Sequence, residues 1–205
     1  MSRPSQIEHQ TKSLLPILCR VFSELGYRRT TTAELARQCD VRENILYRLW
    51  PDKKAMFLAA IHDVFQSRAE MWSEILADQP DPERALERIV NHEATHQGEF
   101  GFYRIVFTAL TESDDEDIRA ALVGMYRSFH QLVVRHVDAA RQSNLQTRSL
   151  PVESVAWGLL GLATISNIIR ELKLLPPHQR ERMFLAVAKH LMGGSMPQPS
   201  SLMSQ

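Results

Sequence analysis

The sequence predicts an all-α protein: an N-terminal three-helix helix-turn-helix domain followed by a larger C-terminal helical bundle. Three observations carry that class. No stretch alternates apolar and polar residues at period two with β-branched enrichment, whereas apolar residues recur at i, i+3 and i+4 along most of the chain. Breakers at Pro51, Pro80 and Pro82, Gly98 and Gly101, Ser113, Pro151, and Pro176 with Pro177 cut these stretches at helical lengths. The 205 residues are 44% hydrophobic and 23% charged with only 8 glycines, a globular composition that excludes wholesale disorder and a loop-rich chain.

The first helix carries Leu14, Leu15, Leu18, Phe22 and Leu25 at helical spacing, and Gly26 stops it. Pro16 fits the first turn of a helix capped by Ser13, or else it kinks a longer helix. Thr30-Thr31-Thr32 with Glu34 is a capping-type start for a short second helix bearing Leu35 and Ala36. A tight turn at Cys39-Asp40-Val41 leads into a third helix over about 42–49, ended by Pro51. Asp52 caps a longer fourth helix with Met56, Phe57, Ala60, Ile61, Val64 and Phe65 on its inner side. Three short helices with a tight turn between the second and third read as a helix-turn-helix unit. About six further helices are expected beyond this unit, and the Pro- and Ser-bearing tail from Gly193 is expected to be disordered. The division is therefore 1–54, 55–192 and 193–205, with no internal repeat.

The net charge is zero, with 24 basic and 24 acidic residues, but the two signs are not evenly spread. Residues 1–54 hold ten Lys and Arg against six Asp and Glu, a net of +4, which leaves −4 for residues 55–205. A basic head on an acidic body suits a nucleic-acid partner met through one end, although such an imbalance also arises in soluble enzymes. Two cysteines, Cys19 and Cys39, are too few for a disulfide framework and fit a reducing compartment. No basic-then-apolar signal segment opens the chain. The longest charge-free run, Ser154–Ile169, has 16 residues against the roughly 20 of a membrane span. A cytoplasmic protein without a membrane partner is expected.

In a helix-turn-helix the third helix lies in the major groove, so it must be polar on one side and apolar on the other. Arg42, Glu43, Asn44 and Arg48 supply the polar side, and Val41, Ile45, Leu46 and Leu49 the apolar side. The Tyr47 hydroxyl is long enough to reach a phosphate, unless Tyr47 and Trp50 are core aromatics. Lys53 and Lys54 open the fourth helix, where free backbone N–H groups also favour a phosphate.

With these residues in place, the stretch Leu14–Ile61 resembles the tetracycline-repressor (TetR) family of bacterial transcription regulators. The resemblance rests on Phe22 with Gly26-Tyr27, the Thr31-Thr32 cap, Leu35-Ala36, Val41, Leu46-Tyr47, Trp50 and Lys53, in that order. It implies binding of double-stranded operator DNA by a homodimer, with the body sensing a small-molecule effector. By position it implies that Thr31 and Thr32 touch phosphate, that Tyr47 and Lys53 clamp the backbone, and that Arg42, Asn44 and Arg48 face the groove. Three departures stand out: Pro16 inside the first helix, Asp40 where the turn commonly has a small residue, and Arg42 and Asn44 where a small cap and Gly are common. An Arg can pair with guanine and an Asn with adenine, each worth about 1–3 kcal/mol of discrimination.

The body offers two further readings. His92-Glu93-Ala94-Thr95-His96 matches the H-E-x-x-H pattern, in which two histidines at i, i+4 bind Zn²⁺ and the glutamate acts as base. A metal-dependent hydrolase built on His92, Glu93 and His96 is thus the alternative function, though no third ligand stands at a family spacing. Geometry favours another use. Leu86, Ile89 and Val90 define an apolar helix face that Glu93 and Gln97 share, with His92 and His96 on its flank. Together with Phe100, Tyr103, Phe107, Met125 and His130, the residues Glu93, His96 and Gln97 form a candidate effector pocket. Otherwise Glu93 and Gln97 face water at a fraying helix end. The acidic run Asp114–Asp117 reads as charge complementing a helix N-terminus capped by Ser113 rather than as a metal site.

Ser154–Ile169 has apolar residues all round, so it must be buried all round. One face can lie against its own chain and the other against a second copy, with the last helix as companion. Trp157, Leu160, Gly161, Ile165, Ile168, Phe184 and Leu191 are the candidate dimer residues; the alternative is a central helix of a monomeric bundle. The function expected is a ligand-responsive regulator, most often a repressor, with neither catalysis nor a cofactor or metal. A helical interaction protein without DNA binding is the third class.

Overall fold

The computed structural model describes residues 6–77, 79–96, 102–143 and 150–193, except for the side chains of Phe102 and Ser143. Among the described residues there are nine α-helices and no strand. They are α1 (Gln6–Leu25), α2 (Thr32–Gln38), α3 (Glu43–Leu49), α4 (Lys53–Leu76), α5 (Pro82–Thr95), α6 (Phe102–Leu110), α7 (Glu116–Ser143), α8 (Val152–Glu171) and α9 (Pro177–Leu191). Six helices, α4 to α9, follow the first three among the described residues, bounded as the breakers divide them, with α7 running 28 residues between Ser113 and Pro151. The expected tail lies outside the described residues beyond Gly193.

The chain forms two compact units, Met1–Ala69 with Phe100–Arg127, and Glu70–Glu99 with Ser128–Gln205. In the first, α1 packs on α2 and α6, and α2 on α3. Its buried side chains are those whose spacing marked them: Leu14, Leu18, Phe22, Leu35, Leu46, Met56, Phe57 and Ile61. Phe22 and Phe57 meet edge to face at 4.9 Å, and Tyr27 adds a third ring 4.7 Å from Phe57. Pro16 lies inside the 20-residue α1, so the longer-helix alternative is the one realised. Gly26 ends α1 at φ +78°, where a Cβ would be strained.

Caps define the remaining starts. The Thr31 hydroxyl accepts the Glu34 N–H at 3.2 Å, and Asp52 accepts the Ala55 N–H at 2.7 Å. Asp81 accepts the Glu83 N–H at 3.0 Å ahead of Pro82. At α7 the cap is Asp115, which accepts the N–H groups of Asp117 and Ile118, and not Ser113, whose hydroxyl donates back to Leu110 O at 2.8 Å. A carboxylate is the stronger acceptor for helix N–H groups, which is the physical reason for the displacement.

In the second unit α9 packs on α5 and α8. One apolar cluster unites Trp72 of α4, Leu86, Ile89 and Val90 of α5, Val133 and Val137 of α7, Val155, Leu159 and Leu162 of α8, and Phe184 of α9. The helix α8 extends beyond its charge-free run to 20 residues of mean hydropathy 1.4, long and apolar enough to cross a membrane by length and composition alone. Val155, Ala156, Leu159 and Leu162 are buried in the cluster, while Trp157 and Ile165 are exposed, so α8 is covered on one side by its own chain.

Candidate nucleic-acid interface

The turn between α2 and α3 aims the site. Cys39 caps the C-terminus of α2 and keeps right-handed geometry, and Asp40 then turns left-handed at φ +53°. The Val41 N–H bonds to Ala36 O at 3.0 Å and the Asp40 N–H to Arg37 O at 3.3 Å, a Schellman closure with aspartate in the position usually held by glycine. Asp tolerates this conformation better than most side chains, so the departure noted in the sequence is absorbed locally. The next residues then start α3 from an extended Arg42 that makes no side-chain cap bond.

Leu46 and Trp50 are buried, and Ile45 and Leu49 half-buried, which pins one face of α3 against the unit. Arg42, Glu43, Asn44, Tyr47 and Arg48 are exposed on the other. Tyr47 is 47% exposed, which removes it from the core, whereas Trp50 belongs to it. The Tyr47 hydroxyl donates to Thr32 Oγ1 at 3.1 Å, and the Thr32 hydroxyl donates to Glu43 Oε2 at 2.9 Å. Arg48 Nη2 donates to Gln10 Oε1 of α1 at 2.6 Å, a neutral and exposed partner that a phosphate or base acceptor can replace. Gln10 lies 38 positions from Arg48, and no sequence pattern signalled that pairing.

Lys53 stands differently from the other cations. Its ammonium donates to Tyr27 O and Thr30 O, both at 3.1 Å, and sits 4.5 Å above the Tyr27 ring. Those bonds tie the start of α4 to the turn after α1. The neighbouring Lys54 pairs with Asp115 and Asp117, which hold its ammonium above the ordinary lysine pKa, the Asp117 bond first. Arg28 pairs with Glu112 at 3.0 Å, and Arg37 with Glu34 at 2.6 Å. The Arg37 bond, followed by one from Gln38, brings the Glu34 carboxyl down to about 2. Arg42 and Asn44 make no ion pair or side-chain hydrogen bond among the described residues, so the α3 face presents its donors outward. Both thiols are buried, and burial pushes Cys19 up to about 12.

The body residues fall in different places. Glu93 accepts from Trp72 Nε1 at 2.8 Å, so it finds a partner inside the second unit rather than facing water. The His92 and His96 rings stack at 4.3 Å and 18°, and His96 Nδ1 lies 3.1 Å from His92 O. Stacked rings beside a carboxylate engaged by an indole differ from two imidazoles converging on one point with a free base. Among the described residues no three or more His, Cys, Asp or Glu form a group able to hold a metal. Tyr103 and Phe107 meet edge to face at 6.0 Å, and Met125 is buried, all within the first unit. His130 belongs to the second unit, stacks on Trp157 at 4.5 Å and lies 3.2 Å from Glu153 O. Gln97 and Phe100 lie outside the described residues. On α8, Trp157 is 50% and Ile165 45% exposed, Gly161 is exposed, and Leu160 and Ile168 are half-buried. Phe184 is buried in its own core, Leu191 packs against Gly158, and Val187, absent from the expected set, is exposed.

Residues 18–60 match the family model described as bacterial regulatory proteins, tetR family. No curated protein matches the sequence. Among solved structures, the fold is similar to a TetR-family transcriptional regulator from Cytophaga hutchinsonii, with 13% identity over 96% of this chain and 100% of that one and a TM-score of 0.75. It is also similar to the regulator FadR from Bacillus subtilis in complex with stearoyl-CoA, with 13% identity over 90% of this chain and 98% of that one and a TM-score of 0.69. A third is AibR in complex with isovaleryl coenzyme A and operator DNA, with 16% identity over 86% of this chain and 96% of that one and a TM-score of 0.64. The exposed polar face of α3 therefore lies within the segment, residues 18–60, that matches the tetR-family model, and the fold of the chain is similar to those of TetR-family regulators of known structure.

Proposed function

We propose that this chain is a ligand-responsive, DNA-binding transcriptional regulator that acts as a cytoplasmic homodimer and represses until a small molecule releases it. The observation that carries the reading is the outward row Arg42, Asn44, Tyr47 and Arg48 on α3, in a unit that matches the family model. Arg42, Asn44 and Arg48 read base edges, and Thr31, Thr32 and Tyr47 hold phosphates. Lys53 contributes charge at the α4 N-terminus while its bonds to Tyr27 and Thr30 hold the module together.

The exposed Trp157, Gly161 and Ile165 of α8, with Val187 of α9, support a second copy as the cover for that side. Relatives crystallised with stearoyl-CoA or isovaleryl coenzyme A support an effector site in the body, with Glu93 and His96 as its polar contacts. The effector acts only through its difference in affinity for DNA-competent and DNA-incompetent states. Titration of purified protein against genomic fragments tests the reading. Salt-sensitive retardation of particular fragments is expected, weakened several-fold by Arg42→Ala and by Tyr47→Phe. Retardation unaltered by both changes would remove the assigned face.

A further inference from the structure

The two hydroxyls best placed to hold a phosphate are already engaged. Tyr47 spends its one proton on Thr32 Oγ1 at 3.1 Å, and Thr32 spends its own on Glu43 Oε2 at 2.9 Å. A phosphate oxygen can only accept, so neither hydroxyl can donate to DNA while this relay stands. Its terminus is the Glu43 carboxylate at the first position of α3. Glu43 thus engages the pair in the free protein, and its charge opposes a phosphate that approaches the two hydroxyls.

We propose that Glu43 is a sequence-dependent latch on the phosphate-holding pair, opened by a cytosine amino group in the major groove. This rests on the DNA-binding reading above and deepens it. Glu43 is exposed beside Arg42 and Asn44 on the groove side of α3, and an ionised carboxylate pairs with the N4 amino donor of cytosine. When cytosine takes the carboxylate, Thr32 loses its acceptor and its hydroxyl turns to the backbone, followed by Tyr47. Guanine and thymine offer no amino donor there, and adenine sets its N7 acceptor beside its amino group, which repels a carboxylate. On these bases the carboxylate stays with Thr32, the two donors stay engaged, and the phosphates meet a negative charge. Base recognition and backbone clamping are then one event, so discrimination exceeds that of a lone base contact.

The test uses the full chain with duplexes selected from a randomised pool, and scrambled duplexes as the reference. The wild type is expected to select a C·G pair at one position of each half-site. Glu43→Ala is expected to bind scrambled duplex about tenfold more tightly at low salt, with the gain shrinking as salt screens the removed charge, and to lose the preference at that position. Glu43→Gln keeps the shape without the charge, and its selected base is expected to move from cytosine to adenine. Tyr47→Phe is expected to cost scrambled-duplex affinity in the Glu43→Ala background and almost nothing in the wild type, because only the variant frees that hydroxyl. An unchanged selected motif and scrambled-duplex affinity in Glu43→Ala, with an unchanged melting temperature, would overturn the latch. An equal Tyr47→Phe effect in both backgrounds would overturn it as well. Absence of salt-dependent DNA binding by the wild type would remove the parent reading and the latch together, whereas intact wild-type binding separates the two.

Discussion

At the residue scale, the chemistry of the head is decided by which donors remain uncommitted. Arg42 and Asn44 are exposed and unpaired among the described residues, Arg48 rests on an exchangeable glutamine, and Lys53 is held by two carbonyls. Glu34 shows how firmly a neighbouring pair is set, since Arg37 and Gln38 take its carboxyl from 4.5 down to about 2. The stability contributed by that pair is complete above pH about 4.5, the unfolded value, and is lost as pH falls through the folded value near 2. Because the pair is exposed, its contribution is small. A carboxyl NMR titration is expected to place the Glu34 midpoint near 2, and the cost of Glu34→Gln, measured by denaturation, should vanish between pH 4.5 and 2. A midpoint at the ordinary value would show the Arg37 bond to be absent in solution. The exposure of Tyr47 was legible in part, because its place one residue after the buried Leu46 turns it away from the core. The Glu43–Thr32–Tyr47 relay was not, since it joins residues 11 and 15 positions apart across a turn.

At the element scale, helices begin where a short side chain can accept an N–H and end where the backbone can turn left-handed. Two of those ends use residues other than glycine: Asp40 after α2 and Lys173 after α8, at φ +53° and +54°. The second has the same closure as the first, with Leu174 N–H bonding Ile169 O at 2.9 Å. Lysine has no side-chain compensation for this conformation, whereas aspartate has some. Lys173→Gly is therefore expected to raise folding stability by about 1 kcal/mol, with a smaller gain for Asp40→Gly. Chemical denaturation of the two variants checks the order, and equal gains would show that aspartate carries no advantage here. Existence and type of α1 to α5 were readable because capping and apolar periodicity are local signals. The single long α7 was readable as well, since Ser113 and Pro151 bound it in the sequence with no breaker between.

At the scale of the whole molecule, the outer side of α8 stands out as exposed among the described residues. Trp157 is 50% exposed and stacked on His130, and Ile165 is 45% exposed one turn from Gly161. The proposed homodimer buries this side, so Trp157→Arg is expected to give a monomer. Light scattering at micromolar concentration should show twice the 23.5 kDa chain mass for the wild type and the single mass for the variant. A wild-type mass of one chain would defeat the dimer. Phe184 shows where periodicity misled: spacing marked it as apolar, but the cluster with Leu86, Val137 and Leu159 consumes it within the protomer.

The sequence by itself determined the all-α class, the helix-turn-helix, its capping Thr31 and the polar face of α3. Each follows from residues within about one or two helical turns of one another. Tertiary structure decided which charges of the +4 head are left for a partner. Arg28 meets Glu112 across 84 positions, and Lys54 meets Asp115 and Asp117 across 61 and 63. Composition counts those residues in separate segments, and only folding brings them within reach of one another. The physical reason is range: helix signals act over a few residues, whereas ion pairing depends on distance in space, which the chain sets only once α1, α4, α6 and α7 have packed.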